Sequence, residues 1–116
     1  MGSEELQERL FQFSVSVIKF LRNWKSGRET DVIRYQLSKP ATSVGANYEE
    51  AQAAISRKEF AVKISIALKE IRETKYWIKI LNAIEDENEE ITSLLDESDE
   101  LAKILGKISS KVNASK

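Results

Sequence analysis

Apolar side chains recur along the chain at steps of three and four residues, in four blocks. Leu6, Leu10, Phe13, Val17, Phe20 and Trp24 make the first, and Leu37, Ala41, Val44, Tyr48, Ala51 and Ile55 the second. Phe60, Ile64, Ala67, Ile71, Ile78 and Leu81 make the third, with a polar step at Thr74 and Lys75. Ile91, Leu94, Leu101, Leu105, Ile108 and Val112 make the fourth, with Ser98 filling its gap. This is the period of helices that each bury one stripe, and the alternation of a strand does not occur.

The breaks between blocks set the boundaries. Gly27 stops the first helix, and Thr30–Asp31 is a cap for the second. The run "EDENEE" separates the third and fourth blocks and offers Asp86 or Asn88 as an N-cap. Ser56-Arg57-Lys58-Glu59 is a capping box, with Ile55 and Phe60 at the hydrophobic-staple positions on either side. The spacing predicts helices over about 4–25, 30–54, 56–84 and 88–113. Short connections make antiparallel neighbours, so the expected architecture is an all-α, up-and-down four-helix bundle, one domain spanning 1–116. Pro40 conflicts locally. It lacks an N–H and its ring clashes with the Gln36 carbonyl, which predicts a kink near residue 40 or a fresh start capped by Ser38.

The third block holds a second apolar set. At about 100° per residue, Val62, Ile66, Trp77, Ile80 and Ile84 cluster roughly 140° from its first stripe. A helix in an isolated bundle needs one buried face. These residues therefore read either as a broad core edge or as an interface between copies of the chain.

Composition narrows the chemistry. With 116 residues, 41% hydrophobic and 32% charged, the chain suits one globular domain. No apolar run reaches the roughly 18 residues of a membrane span. The acidic start "MGSEELQERL" lacks the apolar segment of a signal peptide, so a cytoplasmic protein is expected. There is no cysteine and no histidine. That removes disulfides, thiolate nucleophiles, Ser-His-Asp and Cys-His catalysis, and the Glu-x-x-His motifs of di-iron bundles. Gly-rich phosphate loops are missing too, since Gly45 stands alone. No enzyme activity, cofactor, metal or small-molecule substrate is expected.

Charge is uneven. Residues 56–84 carry seven basic side chains against three acidic, and residues 85–105 carry nine acidic against Lys103. The helix dipole accounts for much of this, with acids at the start of the fourth helix and Lys103, Lys107 and Lys111 toward its end. The alternative is a nucleic-acid surface, with Lys58, Lys69, Arg72 and Lys79 as candidate phosphate contacts. A net charge of −1 gives RNA no long-range attraction.

"TSVGANYEEAQAAISRKEF", residues 42–60, places Gly45, Asn47, Glu49 and Glu50 in an otherwise apolar helical pattern. Asn47 and Glu50 lie three apart, and Glu70 and Glu73 repeat that spacing on the third helix. Their expected role is an interhelical polar network that fixes helix register, with Lys63 and Arg72 as partners. A carboxylate site for Mg²⁺ or Ca²⁺ is the lesser alternative. The series Gln36, Leu37, Ser43–Ala51, then Ser56, Lys58, Glu59, Phe60, Lys63, Ala67, Leu68, Glu70, Glu73, Thr74, Tyr76 and Trp77 resembles a bacterial four-helix-bundle family. Its members include proteins encoded in intervening sequences of large-subunit ribosomal RNA genes, some called S23 ribosomal proteins. The resemblance spans about residues 36–81 and implies an up-and-down bundle assembling into a ring-like homopentamer, with no established enzymatic activity. It also implies kinship with accessory variability proteins of retroelements, which work with a reverse transcriptase and RNA.

Overall fold

In the computed structural model, which describes residues 1–114, four helices follow one another: α1 (Ser3–Arg22), α2 (Arg28–Gln52), α3 (Arg57–Ile84) and α4 (Glu89–Ala114). Each packs on its neighbours in chain order and α4 returns to α1, closing a square of four seams. The rod measures 46 × 21 × 21 Å. The stripes read from the sequence converge on its axis. Leu10, Leu37, Ile64, Ile71, Ile78, Leu81, Leu101 and Leu105 are fully buried. Thr74 and Ser98 share that core because each hydroxyl donates to a carbonyl of its own helix, Glu70 O and Leu95 O. The α1–α4 seam is the most sparsely packed of the four.

The helix ends show which local signals prevail. Ser56 accepts the Glu59 N–H at 3.0 Å, and the Glu59 carboxylate accepts from Ile55 N at 2.9 Å, one residue before the cap. The staple does not form: Ile55 is 95% exposed, because the chain enters α3 with this side chain turned to solvent. Asn88 caps α4 through Ile91 N. The second helix starts earlier than Thr30–Asp31 would set it. Gly27 is the N-cap, and buried Thr30 instead donates to the Gly27 carbonyl from within the first turn. The first helix ends at Arg22, so Trp24 lies beyond it, its ring stacked on Phe20.

Pro40 stays inside α2, which runs through it without a fresh start. Ser38 is not a cap; its hydroxyl donates to Arg34 O at 2.6 Å. Thr42 donates to Ser38 O, and Ser14 reaches across from α1 to Ala41 O at 2.8 Å. Hydroxyl donors thus crowd the turn where the proline ring disturbs the ladder.

Candidate functional site: the two flanks of α3

A salt bridge from Lys63 Nζ to Glu50 Oε1, 2.6 Å, sets the register of α2 against α3. It also marks the flank of each helix that turns to the other. At about 100° per residue, Val32, Gln36, Ser43, Asn47 and Glu50 share that flank of α2. Ile66, Glu70, Glu73, Trp77 and Ile84 share the matching flank of α3, with Val62 and Ile80 at its edge. The fold therefore brings the second apolar set and the polar quartet onto one outer face.

The apolar part of this face is uneven. Val62 and Ile84 are about half exposed, whereas Ile66, Trp77 and Ile80 are half-buried, the last two packed against the core. The second helix adds Val32, 55% exposed. Carried eighteen residues on from the Glu50–Lys63 pair, the antiparallel register sets Val32 level with Leu81, at the height of Trp77 and Ile84.

The polar quartet lies between the apolar ends and makes one interhelical link, Glu50 to Lys63. Asn47 Nδ2 turns to its own helix, donating to Ser43 O and Ser43 Oγ. Glu73 Oε2 accepts from Trp77 Nε1 at 3.3 Å, one turn along α3. Glu70 is half-buried and its backbone carbonyl takes the Thr74 hydroxyl. No hydrogen bond joins the four side chains to one another among the described residues. Side chains on an outer flank find their nearest partners one turn away, and here that distance decides. Arg72 projects from the other flank and meets none of them.

That other flank of α3 turns to α4. Lys75 Nζ pairs with Asp99 Oδ1 at 2.7 Å, and Lys103 takes Asp99 Oδ2 at 3.1 Å. The two lysines hold the Asp99 carboxyl below the usual carboxylate range, and Asp99 raises Lys103 in return. Outside this pairing, Lys58, Lys69, Arg72 and Lys79 are exposed, and none makes an ion pair among the described residues. They form one cationic strip.

The opposite electrostatic feature lies between α1 and the first half of α4. An open groove of about 1390 Å³ is lined by nine carboxylates against Arg9 and Lys19. Arg9 bridges it bidentately to Glu97, at 2.7 and 2.8 Å, which raises the guanidinium's pKa. Among the described residues no acidic side chains converge tightly enough to hold a metal ion. No described helix is long and apolar enough to cross a membrane.

A profile of the 23S rRNA-intervening sequence protein family matches residues 4–107, nearly the whole of this bundle. The chain belongs to that family. It is also similar to a solved structure from Bacteroides thetaiotaomicron, a protein of unknown function in the S23 ribosomal protein family. The two share 35% sequence identity and a TM-score of 0.79 over 90% of this chain and 97% of the other. No curated protein matches the chain. Membership of the intervening-sequence family extends the resemblance first seen over α2 and α3 to α1 and most of α4.

Proposed function

We propose that this intervening-sequence protein is a non-catalytic assembly module of the cytoplasm, whose copies join through the outer face of α2 and α3. The observation that carries this reading is the apolar surface of Val32, Val62 and Ile84, each at least half exposed, continued by Ile66, Trp77 and Ile80. An isolated bundle gains nothing from such a face, whereas contact with a second copy covers it. The polar quartet then lies inside the contact and fixes its register. A ring of five is the expected closure, by resemblance; an odd ring requires two different patches to meet, not one patch meeting itself. Sedimentation equilibrium at micromolar concentration is the test. The wild-type chain sediments as a multiple of its 13.2 kDa mass, and Ile84→Glu reduces it to the monomer. A monomeric wild-type protein overturns the reading.

A second reading rests on the cationic strip. Lys58, Lys69, Arg72 and Lys79, exposed and without ion-pair partners among the described residues, can neutralise RNA phosphates. Filter binding at 50 and 200 mM salt tests it. Retention that falls steeply with salt supports the strip as a phosphate contact, and no retention at either salt excludes it.

A further inference from the structure

The outward surface of α3 carries one large aromatic side chain that neither the core nor the apolar face uses. Tyr76 is 57% exposed. Its ring stands nearly perpendicular to that of Trp77, with centroids 5.4 Å apart. Its hydroxyl makes no hydrogen bond among the described residues. On the helix, Arg72 lies four residues before Tyr76 and Lys79 three after it, the spacings that make surface neighbours. Lys69 lies about 20° from Tyr76 around the axis and Lys58 on the same line. The tyrosine therefore lies against the cationic strip, with Glu73 and Ile80 as its helix neighbours on the other side.

We propose that this surface binds single-stranded RNA, with Tyr76 as a stacking platform for an unpaired base and Lys69, Arg72 and Lys79 holding the adjacent phosphates. The inference rests on the nucleic-acid reading and sharpens it. Cations alone do not choose between duplex and single strand, because both carry phosphates. An exposed aromatic face does choose, because only a base outside a duplex can lie against it. The major groove of an RNA duplex is too narrow for side chains to read, so a straight helix offers a duplex only its charges. The acidic groove on the far side of α4 repels a polyanion and confines binding to this surface. Ile80, at the edge of the α2–α3 face, lies about 40° around α3 from Tyr76, so the tyrosine borders that face and turns its other side to the cations.

Fluorescence anisotropy at low salt tests this, using a labelled, unstructured RNA of about 15 nucleotides, alone and annealed to its complement. The single strand binds about tenfold tighter than the duplex. Tyr76→Ala removes that advantage, weakening single-strand binding about tenfold and leaving duplex binding unchanged, while Tyr76→Phe keeps it. Arg72→Gln weakens both forms together. Equal affinity for the two forms, or wild-type behaviour in Tyr76→Ala, overturns the stacking role and leaves the phosphate strip standing. Absence of binding to either form overturns both. Tyr76 is exposed, so its variants keep the fold, and a thermal melt by circular dichroism verifies that they do.

Discussion

Arg34 shows how one side chain on α2 finishes a helix it does not belong to. Its guanidinium donates to the carbonyls of Leu21, Trp24 and Lys25, and it lies 5.6 Å from the centre of the Trp24 ring. The last carbonyls of a helix lack partners of their own, and here three of them at or just past the end of α1 receive one planar fork. Arg34→Ala is expected to cost about 2 kcal/mol in urea unfolding, and Arg34→Lys to recover less than half of it, because an ammonium cannot span three carbonyls. Gly106 offers the opposite experiment. It lies inside α4, and a methyl group there meets nothing within 4 Å. Gly106→Ala should stabilise the protein by roughly 1 kcal/mol, seen as a higher midpoint in a thermal melt. The capping box and the Asn88 cap were legible in the sequence because a cap is made by residues three apart. The work of Arg34 was not, because its partners lie nine to thirteen residues away and depend on how α1 meets α2. The failed staple at Ile55 has a similar cause: the residue type fits, but the direction in which the chain enters the helix decides. Val32 escaped notice because the second block was read by its core stripe alone.

At the scale of elements, ion pairs lie across three of the seams but do not serve them equally. Asp99 joins Lys75 on α3 to Lys103 on α4, and its carboxyl is lowered mainly by its hydrogen bond to Lys75 and next by that to Lys103. A lowered folded value means the stabilisation is complete above the unfolded carboxyl range, about 4, and is lost as pH falls through the folded value. The urea midpoint should therefore drop between pH 5 and pH 3, and drop less in Asp99→Asn. The seam between α1 and α4 is the thinnest, and the Arg9–Glu97 fork is its main polar tie. Helix α1 is bound more firmly to α2, where Ser3 meets Tyr48 and Gln52, and Gln7 meets Glu49. Amide hydrogen exchange should find α1 the first helix to open and the centre of α3 the last. The stripe pattern in the sequence foretold most of the residues each helix buries, but it included exposed Ile55 and left out buried Leu21, Ile33 and Ala61. It carried no measure of how tightly one helix holds the next, since that depends on crossing geometry.

Across the whole molecule, two sets of sequence-picked residues separated onto two sides of one helix. The apolar set and the polar quartet came together on the α2 side, a juxtaposition the spacing on α3 permitted but only the register of α2 could complete. The cations came together on the outward surface of α3, and Tyr76 lies beside them. Charge counting along the chain had separated a basic third block from an acidic fourth. It could not reveal that α1 contributes half the walls of the acidic groove, because those carboxylates are distant in sequence.

That groove has a practical consequence at the bench. A net charge of −1 and an isoelectric point near 5.6 suggest a protein that an anion exchanger holds weakly and a cation exchanger ignores at neutral pH. Because the two signs occupy different sides of the rod, the beads sense one side at a time. The protein should be retained on both kinds of resin at low salt, and Lys69→Glu combined with Lys79→Glu should abolish retention on the cation exchanger while strengthening it on the other.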